Sequence, residues 1–126
     1  MRRGNPLVFD EYLVTGTTVI TNQELNALLA QYDQLSVFAV VDNPGGAGTL
    51  TVALFHSGDG RNWVQKATNL IGAGGATGAF AAGATTALTG VDNGVLPTLA
   101  FAQLQVSVAT YNAHVRIHVT TRDPSL

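Results

Sequence analysis

Three histidines are the side chains here with the widest chemical range, because an imidazole can ligate a metal or move a proton near neutral pH. His114 and His118 stand four apart in residues 113–121, where Val115, Ile117 and Val119 interleave with His114, Arg116, His118 and Thr120. That alternation marks a strand, and strand rise separates the two histidine Cα atoms by about 13 Å. Zinc–nitrogen bonds are about 2.0 Å long, so the pair cannot share one ion, and His56 would add a second ligand at best. With no cysteine there is neither a thiolate site nor a disulfide framework. Ser57, Ser107 and Ser125 lack the setting of a nucleophile elbow. The carboxylates fall mostly in turns, where Asp serves local hydrogen bonding. Gly72-Ala73-Gly74-Gly75-Ala76-Thr77-Gly78 lacks the lysine that a phosphate loop places before Ser or Thr. The expectation is a protein with no catalytic residues, no metal and no cofactor.

The most distinctive string is Ser57-Gly58-Asp59-Gly60-Arg61-Asn62-Trp63. Asp and Gly suit a tight turn, and the Trp would anchor the outgoing strand by burying its ring. The second reading is a ligand site, with Trp63 stacked on a saccharide and Asp59 and Arg61 taking its hydroxyls. The pattern S-x-D-G-x-x-W resembles turns of discoidin-like sugar-binding sandwiches and, more loosely, the Asp-box turns of sialidase propellers. In both, the resemblance implies a string that chiefly stabilises a hairpin.

The elements that would position these residues read as strands. Residues 12–20 are rich in Thr and Val, and β-branching favours strands. Residues 34–41 are apolar, and residues 49–56 alternate, with Leu50, Val52 and Leu54 on one side and Thr49, Thr51 and Ala53 on the other. Asp42-Asn43-Pro44-Gly45-Gly46 is a turn between them, so residues 34–56 are expected to form a hairpin. Further strands are expected at 63–67, 99–110 and 113–121. One helix signal precedes them: Thr21 and Glu24 form a capping box, and Leu25, Leu28, Leu29 and Tyr32 follow at helical spacing. The expected fold is an all-β, antiparallel β-sandwich, jelly-roll-like, with one short helix near residues 22–32. Residues 1–6 form an N-terminal arm, and residues 7–126 form one domain with a Gly/Ala-rich loop at 72–90. Phe80 and Leu88 are the large side chains of that loop. It buries too little apolar surface to fold by itself, and reads equally as a flexible loop or an arm ordered on a partner.

Composition points to assembly. Hydrophobic residues make up 46% of the chain and charged residues 11%, where about 25% charged is usual. A net charge of −2, with the basic residues scattered apart from Arg2-Arg3, argues against nucleic acid. No apolar run is long enough to span a bilayer or serve as a secretory core, so a cytoplasmic origin is expected.

A family resemblance enters here. Ala27-Leu28-Leu29-Ala30-Gln31-Tyr32-Asp33-Gln34-Leu35, the strand to Val41-Asp42, and the stretch from Leu50-Thr51-Val52 to Trp63 resemble small β-sandwich phage virion proteins of the capsid decoration type. The ending Val115-Arg116-Ile117-His118-Val119-Thr120-Thr121-Arg122-Asp123 is similar to their closing strand. The resemblance covers roughly half the chain and carries no catalytic residues. It implies a homo-oligomer, with a trimer favoured, that cements a phage head lattice by binding the major capsid protein or other virion subunits. The contact residues expected on that reading are Arg2, Arg3, Pro6, Phe80 and Leu88. The alternatives are a carbohydrate-binding β-sandwich module, using Asp59, Arg61 and Trp63, and another shell or tail component.

Overall fold

Val, Ile, Thr and aromatic residues at alternate positions give this chain its strands. The computed structural model describes residues 7–20, 34–66, 69–92 and 101–122. These form β1 (Leu7–Leu13), β2 (Thr18–Ile20), β3 (Gln34–Asp42), β4 (Gly48–Ser57), β5 (Val64–Gln65), β6 (Ala79–Phe80), β7 (Thr86–Asp92), β8 (Phe101–Ala109) and β9 (Ala113–Arg122). Two antiparallel sheets result, one in the order β1-β9-β3-β7, the other β2-β8-β4-β5 with β6 also on β4. Read β5 and β6 as one interrupted edge strand, and the sheets have the strand order of a jelly roll. The protein is an all-β antiparallel sandwich. The expected helix near 22–32 and the residues Arg2, Arg3 and Pro6 lie outside the described residues.

The core lies between the sheets, where the inward phases of the long strands meet. Val37, Ala39 and Val41 of β3 oppose Leu50, Val52 and Leu54 of β4, and all six are buried. Residues 34–56 are therefore not a hairpin. β3 pairs with β7 and β9, while β4 pairs with β8, so the turn after Asp42 carries the chain from one sheet to the other. Alternation says only that one face of a strand is buried; it is the same whether the next strand lies beside it or across the core. The turn needs its glycines because the Tyr111 ring lies on it. A Cβ on Gly46 would come within 2.3 Å of that ring.

The Gly/Ala tract is neither a free loop nor an arm. Its first part, with Ile71 just before it, runs along the outer edge of β4, where Val52 N–H donates to Ile71 O at 2.9 Å and Leu50 N–H donates to Gly78 O at 2.8 Å. At Gly78 a Cβ would stand 2.1 Å from the Leu50 carbonyl oxygen, which is why no larger residue fits there. β6 and β7 follow within the same tract. Phe80 and Leu88, expected as partner contacts, are 4% and 6% exposed and belong to this domain's own core. The tract has few large side chains because its backbone packs directly on its neighbours, and two of those side chains fill the sandwich.

Candidate functional site

The outer face of the four-stranded sheet collects the open polar and aromatic side chains of three strands. Register sets them in rows. Tyr12 of β1, His114 of β9 and Asp42 of β3 form the first; Asp10, Arg116 and Val40 the second; His118 and Phe38 the third. The inward phase of β9, with Val115, Ile117 and Val119 buried, turns His114, Arg116 and His118 outward.

Diagonal neighbours on a sheet are within reach of long side chains. Arg116 donates from Nε to Asp42 Oδ2 and from Nη2 to Asp42 Oδ1, both at 3.1 Å. His114 bridges two carboxylates, with Nδ1 3.0 Å from Asp42 Oδ2 and Nε2 against Asp10 Oδ1. Partial burial raises the Asp42 carboxyl, but hydrogen bonds from Arg116 and His114 outweigh it and hold the group below its ordinary value. These side chains are 31–46% exposed, so the network contributes little to stability. What it does is hold donors and acceptors in fixed directions on an open surface. Tyr12, 63% exposed, stands at one side, and the Phe38 ring, tilted 54° to the His118 ring at 6.2 Å, stands at the other. Four residues along β9 separate the first row from the third, about 13 Å, which is room for a short oligosaccharide.

Of these residues, the sequence alternation places His114, Arg116 and His118 on one face. It missed Asp10 and Asp42, because their role depends on which strands flank β9. The available signal was that Asp42 continues the outward phase of Phe38 and Val40. Among the described residues, no three His, Cys, Asp or Glu side chains are grouped to hold a metal ion. His56 lies on the other sheet, apart from His114 and His118.

The string at 57–63 is a turn held by its own side chains. Ser57 Oγ accepts from Gly60 N–H at 2.9 Å and donates to Asp59 Oδ1 at 2.9 Å. Asp59 Oδ1 accepts from the N–H groups of Arg61 and Asn62, each at 2.8 Å, and Oδ2 accepts from Asn62 Nδ2 at 2.7 Å. Gly60 takes φ +77°, which L side chains rarely adopt. Both Asp59 oxygens are thus engaged within the turn, while Arg61 is exposed and Trp63 half-buried. Hydrogen bonds from the Asn62 and Arg61 backbone hold the Asp59 carboxyl well below the ordinary carboxylate range. A carboxylate depressed in the folded state contributes stability above its unfolded value, about 3.9, and loses it as pH falls through the folded value. Asp59→Ala is therefore expected to unfold at lower urea than the wild type at pH 7, with the gap closing in strong acid. An equal gap at pH 7 and in strong acid would remove the charged turn as the cause.

No family model matches the sequence, and no curated protein is significantly similar to it. Solved structures with the same fold do exist. The CBM22-1 xylan-binding domain of Paenibacillus barcinonensis Xyn10C superimposes with a TM-score of 0.53 and 7% identity, over 94% of this chain and 96% of that one. The CBM22-1–GH10 region of Clostridium thermocellum endo-1,4-β-D-xylanase 10B, solved with xylohexaose, gives a TM-score of 0.58 and 13% identity over 82% of this chain. The match spans 19% of that longer, multi-modular chain. The expectation of a phage capsid decoration subunit is overturned. The two solved structures named above are, or include, CBM22 modules, and the two described contact residues, Phe80 and Leu88, are core.

Proposed function

We propose that this domain is a non-catalytic carbohydrate-binding module that takes a glycan chain across the outer face of its four-stranded sheet. The observation that carries the reading is the end-to-end likeness to a xylan-binding domain, 94% of this chain on 96% of that one. The face offers the matching chemistry. Tyr12 and Phe38 present ring surfaces to the apolar faces of pyranoses, and Asp10, Asp42, His114 and Arg116 present oriented partners for hydroxyls. The Arg116 guanidinium is already paired with the Asp42 carboxylate, which suits an uncharged polysaccharide, and xylan is the first candidate. The side chains hold no activated nucleophile, and both carboxylates are engaged by Arg116 or His114, so binding without bond cleavage is the role assigned.

Titration calorimetry with xylooligosaccharides and a panel of soluble neutral glucans tests this. Hydrogen bonds to charged groups are worth about 1.5–3 kcal/mol, so Arg116→Ala is expected to weaken association by about tenfold or more. Tyr12→Ala should weaken it through lost stacking while leaving the unfolding transition in place. Absence of binding to every neutral polysaccharide tried would sink the proposal.

A further inference from the structure

A sheet edge carries unpaired N–H and C=O groups, and proteins protect such edges with shortness, charge, proline or bulges. Among the described residues, three of the four edges have a device of this kind. β2 is three residues long. The edge of β4 is filled in turn by β5, Ile71 and β6. β1 carries Asp10 and Glu11 and a register shift between Leu7 and Phe9. β7 has none of them before its last residue, Asp92, which is ion-paired with Lys66. Its run Thr86-Ala87-Leu88-Thr89-Gly90-Val91 has no charge and no proline, and pairs with β3 without a register shift. Among the described residues, no strand pairs with its other side. Ala87 and Thr89 are exposed beside it, as is Val91 at 49%.

This edge is also complementary to itself. Place a second β7 antiparallel to the first about a two-fold axis through Thr89. Thr89 then faces Thr89, Ala87 faces Val91, Leu88 faces Gly90, and Asp92 faces Thr86. Hydroxyl meets hydroxyl, each larger apolar side chain meets a smaller one or none, and no like charges are opposed. The same trial on β1 would concentrate the carboxylates of Asp10 and Glu11. A two-fold axis needs one patch that matches itself, and β7 meets that condition.

We infer that β7 is the contact for a second copy of this chain, joining two four-stranded sheets into one continuous sheet. The pairing closes at two copies, where the sequence reading favoured three. An extended segment of another protein could add to the same edge, but it would have no reason to meet a strand matched to its own reverse about Thr89.

The chain has no cysteine, so single cysteines report the register cleanly. Residues directly opposite have Cβ atoms about 4.5–5.5 Å apart, near disulfide range, whereas two copies of residue 87 would lie about 13 Å apart. In the full chain, Thr89→Cys treated with diamide is expected to form a covalent dimer at least tenfold faster than Ala87→Cys or Val91→Cys. Sedimentation velocity should show a concentration-dependent dimer that Thr89→Lys weakens at least tenfold, with Glu11→Lys on β1 unaffected. Thr89 is exposed, so these variants should keep the wild-type circular dichroism. Equal cross-linking at all three positions, or a monomer at every concentration, would overturn the proposal. So would a monomer whose β7 edge takes up a foreign peptide instead.

Discussion

Phe80→Ala should cost about 3–5 kcal/mol of unfolding free energy, because truncating a buried Phe removes its transfer energy and leaves a cavity. Phe80 is 4% exposed and belongs to the central cluster. Its strand is held by pairing with Gly48 and Thr49 of β4, and its ring passes so close to Gly48 that a Cβ there would lie 2.6 Å from Phe80 Cζ. Urea unfolding with an unchanged slope measures the loss. Thr85→Ala, an exposed change in the same tract, serves as the control and should stay within about 0.5 kcal/mol of the wild type. The comparison also separates the two roles Phe80 could have. A residue kept for a partner would leave the isolated domain as stable without it, so a near-neutral Phe80→Ala would return the tract to the surface.

Lys66→Ala should cost a similar amount, about 3–5 kcal/mol, for an electrostatic reason. Its Nζ lies 2.6 Å from Asp92 Oδ2, with the two side chains 2% and 11% exposed. Lys66 N–H donates to Leu54 O of β4, and Asp92 ends β7, so the ion pair ties one sheet to the other. Removing the ammonium leaves the carboxylate buried without it. The double variant Lys66→Met with Asp92→Leu should recover most of the loss, since replacing a buried pair by apolar residues is often neutral or better. If the double variant were as unstable as the single one, the ion pair would not be the source. His56 gives a second readout. Burial, then the Lys66 ammonium, lower its imidazole below the ordinary value against the opposing pull of Asp92. The unfolded chain therefore binds more protons near the ordinary value of about 6.5, and stability should rise with pH through that range.

The glycine-rich segment shows where sequence reasoning about this protein stops. Few large side chains suggested too little buried surface for order, and for an isolated segment that is sound. The tract is not isolated. Its glycines let backbone lie against backbone, as at Gly90, where a Cβ would meet the Leu70 carbonyl oxygen at 2.2 Å. A missing side chain here means close approach of neighbours, and the neighbours come from β4 and the segment at 69–71.

What the sequence determined by itself was everything that depends on near neighbours in the chain. Period-two alternation in β9 and in most of β4 assigned side chains to the core or the outside as the structure has them, with Ala53, expected on the outer side, buried at 6%. Ser57, Asp59 and Gly60 specify their turn because every hydrogen bond in it is local. Turn chemistry and β-branching were enough for an antiparallel sandwich. Only the tertiary structure decided which strands lie side by side. β1 and β9 pair across more than a hundred residues, joining Asp10 to His114, and β3 and β9 bring Asp42 to Arg116 across more than seventy. Alternation carries no information about a strand's neighbour, so the outer face remained hidden as separate residues. The buried pair of Lys66 and Asp92 was hidden for the same reason, since a charge shows its partner only once the chain has brought the two together.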